Sequence, residues 1–324
     1  MTREITYAEA MVEALGDAMR ADDRVSLIGS YFLGLSPRRT LLEALRREFP
    51  TRVWDPPTAE LGACGVGIGA ALAGLRPIVD VGTGSFIFQA WPQVVNEAAP
   101  ARYMSGGQVT VPIVFHLLHG IRGRGAAQHS HSPQAQLWNN PGLEIMLPAS
   151  PADVKGLLRS AVASDNPTVF VDHVRLFEMK GPVPEGDYRI PFGVADVKRP
   201  GRDVTLVATS FLVSRSLAAA EALARDGIDV EVVDPRTLVP LDEAAILASV
   251  RKTGRLVVAD ECHRRCGVAA EIAALAAEQA YGKLKAPIRR VATADVPIPF
   301  SPTLEAAIEP TQEKIEAAVR AVVA

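Results

Sequence analysis

The chain is short of cysteine and of long hydrophobic runs. Its three cysteines, Cys64, Cys262 and Cys266, cannot all pair within one chain, so reduced thiols in a cytoplasm are the simplest expectation. The spacing Cys262-x-x-x-Cys266 also differs from that of usual zinc ligands. No run of about 20 apolar residues indicates a membrane span, and the amino terminus lacks the apolar core of a signal peptide. We therefore expect a cytoplasmic protein that does not cross a membrane.

A strong excess of charge and several common motifs are missing as well. The net charge is −3, so neither nucleic acid nor an anionic membrane is an expected partner. There is no Walker P-loop and no G-x-S-x-G elbow, and Gly65, Gly67 and Gly69 fail the dinucleotide pattern because Ala70 and Leu72 follow them. A composition of 48% hydrophobic and 22% charged residues over 324 positions is typical of a globular protein with room for two cores.

Short apolar strands alternate with helices along the chain. The capping box Thr6-Tyr-Ala-Glu9 opens a helix that runs to about Asp22, and Ser36-Pro37 opens another. The pattern predicts strands at 25–28, 77–81, 111–117, 143–147, 168–172, 204–209, 229–233, 255–260 and 288–292. It predicts further helices at 60–75, 85–99, 151–164, 212–226, 241–252, 267–280 and 310–323. This alternation is typical of parallel sheets that are covered on both faces.

A segment rich in Pro, Gly and charge interrupts the alternation and reads as a linker. We predict an α/β protein of two doubly wound domains, with boundaries at 1–180 and 204–324 and a linker at 181–203. Within the first domain, the segment Asp55-Pro-Pro-Thr-Ala-Glu60-Leu-Gly62 places Glu60 at the opening of a helix of small residues. A fixed carboxylate with small neighbours suits a catalytic acid, but a first-turn Glu also suits the helix dipole. The residues alone leave both interpretations open.

Four of the six histidines, His116, His119, His129 and His131, lie within 16 residues. From the residues alone they are either unrelated loop residues or a metal site. A metal site would use the shared face of His129-x-His131 in an extended strand, but no nearby Asp, Glu or Cys completes a ligand set. We therefore rank the metal site below the role that the family resemblance described next implies for His129.

Several segments occur in an order that carries a family resemblance: Asp55-Pro-Pro-Thr-Ala-Glu60, Gly-Ala-Ala-Leu-Ala-Gly-Leu-Arg-Pro at 69–77, Tyr103-Met-Ser-Gly-Gly-Gln108, Val111-Pro-Ile-Val-Phe115, Gln128-His129-Ser130, Val233-Asp-Pro-Arg-Thr-Leu-Val-Pro-Leu-Asp242 and Asp295-Val-Pro-Ile-Pro-Phe300. Together they resemble the β subunit of the thiamine-diphosphate-dependent decarboxylase component of 2-oxoacid dehydrogenases, of the pyruvate and acetoin dehydrogenase type. The resemblance covers nearly the whole chain. It implies a transketolase-like pyrimidine-binding domain with a mainly parallel sheet, followed by a transketolase-type C-terminal α/β domain.

The resemblance also implies a cofactor, an activity and a partner. Such enzymes decarboxylate a 2-oxoacid on thiamine diphosphate and transfer the resulting acyl group. They bind the diphosphate and Mg²⁺ through a Gly-Asp-Gly…Asn motif, which this sequence does not contain. A separate α chain would therefore supply that half of the site in an α₂β₂ heterotetramer, and a lipoyl-domain acyltransferase is a further expected partner.

Three residues match the family's site positions. Glu60 matches the carboxylate that binds N1′ of the aminopyrimidine and promotes the tautomer that activates the thiazolium carbon. Phe86 matches the aromatic residue that faces the pyrimidine, and His129 matches a proton donor in acyl transfer. Family members often hold a structural K⁺ through backbone carbonyls, and the matching residues are Ile113, Ala161, Val162, Ser164 and Asn166.

Alternative functions stay open at this point. One is a subunit of a split transketolase or of a dedicated biosynthetic enzyme that forms C–C bonds on thiamine. Two others belong to different classes: a metal-dependent enzyme that uses the His116–His131 cluster, and a non-catalytic partner subunit. The motifs do not name the 2-oxoacid or the acyl acceptor.

Overall fold

The computed structural model describes residues 2–29 and 39–324. The chain folds into two compact units. Unit 1 comprises Met1–His119 and Leu137–Phe192, and unit 2 comprises Gly120–Gln136 and Gly193–Ala324. The helix start predicted at Ser36-Pro37 lies outside the described residues.

Helices and strands alternate in both units, close to the predicted positions. The α-helices are α1 (Tyr7–Ala21), α2 (Arg39–Glu48), α3 (Glu60–Leu72), α4 (Ala101–Met104), α5 (Gln134–Trp138), α6 (Pro151–Ala163), α7 (Leu212–Ala224), α8 (Glu243–Thr253), α9 (Val268–Ala280), α10 (Pro302–Ile308) and α11 (Gln312–Val323). The strands are β1 (Thr2–Thr6), β2 (Val25–Ile28), β3 (Val53–Trp54), β4 (Arg76–Thr83), β5 (Val114–His119), β6 (Glu144–Met146), β7 (Thr168–His173), β8 (Lys180–Pro184), β9 (Asp196–Arg199), β10 (Val204–Ala208), β11 (Val230–Asp234), β12 (Thr237–Val239), β13 (Leu256–His263) and β14 (Arg289–Thr293). Among residues 2–29 and 39–324, no helix combines the length and the apolar character that a bilayer span needs.

Unit 1 is built on a parallel sheet. Its strands follow the order β6-β7-β5-β4-β2-β3, and every one of these pairings is parallel. β2, β5 and β7 are buried along their whole length, as strands covered on both faces must be. The predicted capping box is confirmed, because the Thr6 side chain accepts from the Glu9 N–H and Glu9 accepts from the Thr6 N–H.

Unit 2 contains a second, mixed sheet. Its order is β14-β13-β10-β11-β9, with only the β11–β9 pairing antiparallel. The buried strands β10 and β11 are apolar along most of their length, and α7, α8, α9 and α11 all contact strands of this sheet or one another. The expected α/β class with mainly parallel sheets is therefore confirmed.

Two sequence-based expectations differ from the structure. The single helix predicted at 85–99 is instead a 3₁₀ turn at Gly84–Phe88 and a π-helix at Pro92–Ala98, because Pro92 has no N–H to continue the hydrogen-bond ladder. The segment read as a linker contains the strands β8 and β9. The contact-based units also assign residues 120–136 to unit 2, through contacts that are distant in the sequence.

Candidate active site

A pocket in unit 1 lies where parallel strands end. It follows the carboxyl ends of β2 and β4, the usual place for ligands in open α/β sheets, and its cavity has a volume of about 70 Å³. Its wall includes Gly29, Asp80, Glu60 and Phe86. Gly29 has a φ of +81°, and a Cβ there would lie 3.1 Å from the Asp80 carbonyl oxygen. The backbone of the wall is therefore closely fitted at this point.

Glu60 is the first residue of α3 and is half-buried in this pocket. The residue before it, Ala59, offers no side-chain cap, so N–H groups of the first turn are open to the pocket or to an anion. Burial, and then the negative charge of Glu60, raise the pKa of the Cys64 thiol to about 12. Cys64 is thus a neutral buried side chain, and Glu60 is the acidic side chain in the first turn of this helix.

Phe86 completes the apolar side of the same pocket. It lies in the 3₁₀ turn that follows β4 and is half-buried. The 3₁₀ turn ends at Phe88, and a separate π-helix begins at Pro92. The structure therefore brings Glu60 and Phe86, which are 26 positions apart in the sequence, to one pocket: a carboxylate and an aromatic ring suited to an aromatic heterocycle with hydrogen-bonding nitrogens.

His129 belongs to unit 2, where it is exposed at the end of a 3₁₀ turn at Ala127–His129. It does not lie in an extended strand, so the shared strand face expected for His129 and His131 is wrong. Burial, and then the positive charge of His263, lower the pKa of His131. The two histidines therefore differ in environment: His131 is partly buried beside another histidine, and His129 faces solvent.

The four neighbouring histidines do not form a metal centre. His116 and His119 are buried in β5 of unit 1, whereas His129 and His131 belong to unit 2. Within residues 2–29 and 39–324, no group of three or more His, Cys, Asp or Glu side chains is arranged to hold a metal ion. The metal-dependent alternative therefore has no support from the described part of the chain.

A buried charge cluster around His116 escaped the sequence reasoning. Nε2 of His116 lies 2.6 Å from a carboxylate oxygen of Asp172, and Nδ1 lies 3.5 Å from one of Asp80. The Tyr7 hydroxyl donates to the other Asp172 oxygen. Burial alone would lower the pKa of His116, but the hydrogen bonds and charges of Asp172 and Asp80 outweigh it and raise that pKa to about 9. His116 is therefore a cation at neutral pH, and Asp80 connects it to the pocket wall.

Several of the carbonyls expected to bind K⁺ accept hydrogen bonds within the chain. Arg76 Nη1 donates to the carbonyls of Val162 and Ser164 at 3.1 and 2.9 Å. The carbonyl of Ile113 accepts from the Thr168 N–H at 2.9 Å. A guanidinium cation therefore already serves two of the five carbonyls.

Comparison with known families agrees with this architecture. Residues 3–179 match the model of the transketolase pyrimidine binding domain, and residues 193–315 match that of the transketolase C-terminal domain. The pocket with Glu60 and Phe86 lies inside the first of these matches. The fold and the pocket thus define a transketolase-type α/β protein.

Full-length relatives narrow the family further. The chain is 42% identical to the acetoin:2,6-dichlorophenolindophenol oxidoreductase subunit beta of Bacillus subtilis, over 97% of this chain and 96% of the relative. It is 41% identical to the pyruvate dehydrogenase E1 component subunit beta of Rickettsia felis, over 98% of each. It is 39% identical to the 2-oxoisovalerate dehydrogenase subunit beta of Bacillus subtilis, over 98% of each. The chain belongs to this family of dehydrogenase β subunits, and the resemblance inferred from its motifs is confirmed.

A solved structure agrees at the level of the fold. A split-gene transketolase, described as an inactive beta4 tetramer, superposes with a TM-score of 0.81 over 98% of each chain at 23% identity. At this identity the likeness bears on the fold alone, and it agrees with two transketolase-type domains.

Proposed function

We propose that this chain is the β subunit of a two-chain, thiamine-diphosphate-dependent enzyme that decarboxylates a 2-oxoacid and transfers the acyl group. One observation carries the proposal: Glu60 and Phe86 share a pocket inside a matched pyrimidine-binding domain. The activity is that of the relatives, which are named as pyruvate, acetoin and 2-oxoisovalerate enzymes.

The pocket fits the aminopyrimidine part of the cofactor. Thiamine diphosphate, when bound, supplies the reactive thiazolium carbon that the chemistry needs. Glu60 would hold the proton at the pyrimidine ring nitrogen, because its carboxylate lines the pocket from the first turn of α3. Phe86 would cover the face of the ring and exclude water from it. Both residues act on the cofactor's pyrimidine half, and neither contacts a diphosphate in this proposal.

The other half of the cofactor site requires a second chain. The sequence contains no Gly-Asp-Gly motif, so we propose that an α subunit with a Gly-Asp-Gly…Asn segment binds the diphosphate and Mg²⁺. We further propose an α₂β₂ assembly, with a lipoyl-domain acyltransferase as acceptor. A cytoplasmic location is supported by the three cysteines, all of which are free thiols in the described residues.

Helix α3 offers the surface for that α subunit. After Glu60 its residues are all apolar, yet Leu61, Val66 and Leu72 are each more than half exposed. A side chain added at Gly69 would place its Cβ more than 4 Å from any neighbouring atom. A helix that is apolar all round is normally buried, and exposed apolar surface of this kind marks a protein interface. We propose that α3 packs against the partner beside the cofactor pocket.

His129 is proposed as the proton donor in acyl transfer. Its exposed imidazole on a 3₁₀ turn is accessible to an incoming substrate, and histidine is the side chain that most often transfers protons in catalysis. The residue acts in this proposal after the cofactor has been activated, whereas Glu60 acts before.

The potassium site also stays a proposal. Its support is the match of Ile113, Ala161, Val162, Ser164 and Asn166 to the family positions, although Arg76 already donates to the carbonyls of Val162 and Ser164. Dialysis from potassium into choline chloride tests it. We expect a lower melting temperature that K⁺ restores and choline does not. No change would leave Arg76 as the only cation needed there.

Reconstitution tests the main proposal. The β chain alone should bind thiamine diphosphate weakly or not at all by titration calorimetry, and should bind it with Mg²⁺ after mixing with its α partner. The assembled enzyme should then reduce ferricyanide with 2-oxoacids as donors. Tight binding by the β chain alone would contradict the divided site. Activity with ketose phosphates in place of 2-oxoacids would instead identify a split transketolase.

A further inference from the structure

His129 is carried by a loop of unit 2 that is closed at its base. The N–H of Gly120 donates to the carbonyl of His131 at 3.1 Å, so one backbone hydrogen bond joins the two ends of the segment 120–131. The imidazole of His129 lies near the end of this excursion, in the turn Ala127–His129. A loop tied only at its base would leave the exposed histidine free to change position.

Two buried carboxylates hold the interior of the loop. Glu261, in β13, accepts the N–H of Ile121 at 2.9 Å. Glu305, in α10, accepts the N–H of Arg124 at 3.0 Å. Both carboxylates are contributed by elements of unit 2 far along the chain. Hydrogen bonds from N–H groups to carboxylates are stronger than bonds between neutral groups, so these two contacts fix the loop backbone at two points.

The loop backbone is of a kind that needs such support. Arg124 and Ala126 both have positive φ, +58° and +53°, although neither is glycine. Residues in this region of φ persist only where the surrounding structure holds them, and such positions cluster at functional sites. The N–H held by Glu305 belongs to one of these two residues. The carboxylate therefore acts where the backbone would otherwise relax.

Retaining these carboxylates in the interior is costly. Glu261 and Glu305 are only 4% and 3% exposed. Within the described residues, Oε1 of Glu305 makes no hydrogen bond, so the group is not fully compensated by its contact with Arg124. A buried carboxylate that is incompletely satisfied destabilises the fold. The burial of Glu305 is explained if its carboxylate holds the loop backbone at Arg124.

We propose that Glu261 and Glu305 are positioning residues that hold the loop of residues 121–129 in the conformation that presents His129. The role of His129 in acyl transfer rests on the proposed function, whereas the clamping of the loop does not. A substitution of either glutamate should therefore loosen the loop and slow the step that uses His129, and should spare the earlier steps at the unit 1 pocket.

The test compares variants of the full β chain assembled with its α partner. In Glu305→Ala, amide hydrogen exchange of the peptide covering 121–129 should rise about tenfold, the loss expected for one charge-assisted hydrogen bond. Acyl transfer should fall more than ferricyanide reduction does. Glu305→Gln keeps an acceptor oxygen and should restore most of the protection. If Glu305→Ala does not fold, the shorter Glu305→Asp should show the same selective loosening.

Glu231→Ala is the matched control, because Glu231 is a buried carboxylate of unit 2 that pairs with Lys252 and not with the loop. It should leave the exchange of 121–129 and the ratio of the two assays unchanged. Unchanged exchange in folded Glu305→Ala, or an equal effect of Glu231→Ala, would overturn the proposal. If the loop loosens in Glu305→Ala but the wild-type enzyme shows neither acyl transfer nor ferricyanide reduction, the positioning role of Glu305 stands and the proposed function is rejected.

Discussion

Nε2 of His116 lies 2.6 Å from a carboxylate oxygen of Asp172 in the interior of unit 1. Asp80 approaches the other ring nitrogen at 3.5 Å, and the Tyr7 hydroxyl donates to Asp172. The cluster joins α1, β4, β5 and β7 through one cation and two carboxylates. Hydrogen bonds and charges from the two aspartates favour the protonated form of the buried imidazole. The stability of unit 1 should therefore depend on the proton of His116.

The first prediction is a loss of stability at alkaline pH. The pKa of His116 in the folded chain is raised to about 9 from its ordinary value of 6.5. The stabilisation is fully present below the unfolded value, falls as pH rises through about 9, and is on the order of 3 kcal/mol in total. Urea unfolding between pH 6 and pH 10 measures it.

His116→Gln supplies the reference for this titration, because Tyr and Lys side chains also titrate at high pH. The variant should be less stable at pH 7 and should lose less stability than the wild type between pH 7 and pH 9.5. A wild type and a variant with parallel pH profiles would show that the imidazole is neutral in the folded chain. The carbon chemical shifts of the His116 ring report its protonation state directly.

The second prediction concerns Glu60→Gln. The amide keeps the shape of the side chain but cannot act as an acid or base, so cofactor activation should slow by ~10²–10⁴. Folding and assembly should survive, since a first-turn carboxylate contributes only about 0.3–1 kcal/mol through the helix dipole. Hydrogen–deuterium exchange at the thiazolium carbon in the assembled enzyme measures the step. An unchanged exchange rate would reduce Glu60 to a helix-end charge.

The third prediction separates packing inside the chain from packing against the partner. A Cβ on Gly69 would meet nothing within 4 Å, so Gly69→Leu should leave the isolated β chain as stable as before or more so. If α3 is the partner surface, the same side chain should weaken assembly by about 1–3 kcal/mol through overpacking. Analytical ultracentrifugation of the mixed subunits measures the loss.

Gly67→Ala on the same helix is the contrasting variant. A Cβ on Gly67 would lie 2.4 Å from Cγ2 of Val79 and 3.0 Å from Cδ1 of Ile113, so this change should destabilise the isolated chain by about 1–3 kcal/mol. Normal assembly of Gly69→Leu with the α chain would remove α3 from the interface. The two glycines lie two residues apart on one helix, and only the change at Gly67 should destabilise the isolated chain.

The sequence predicted the elements that depend on local signals. The capping box at Thr6 and Glu9, the apolar strands and the helix that begins at Glu60 all lie where periodicity and caps indicated, because each signal acts within a few residues. The single helix predicted at 85–99 does not form, because Pro92 lacks the N–H that a continuous helix needs at that position. The domain boundaries at 180 and 204 stay predictions, and the contact-based units place residues 120–136 by contacts that no local pattern reveals.

In the candidate site too, residues within local motifs could be predicted and contacts between distant residues could not. Glu60 and Phe86 were found through motifs, and their common pocket follows from the order of β2 and β4 in the sheet. The partners of His116 and of the His129 loop were missed. Asp172 is 56 positions from His116, and Glu305 is 181 positions from Arg124. A single sequence carries no signal for pairs at such separations, so only the folded chain brings them together.

The last prediction concerns His129→Ala. If His129 donates a proton during acyl transfer, its loss should leave cofactor activation intact and slow transfer to the natural acceptor by ~10²-fold or more. Ferricyanide takes electrons from the enzyme before that transfer, so the ferricyanide assay should fall much less than the full reaction. His131→Ala serves as control, because burial and His263 lower the pKa of that neighbour and it has no assigned step. Equal losses in both assays for His129→Ala would move the histidine to substrate binding or decarboxylation, because those steps precede the point at which ferricyanide intervenes.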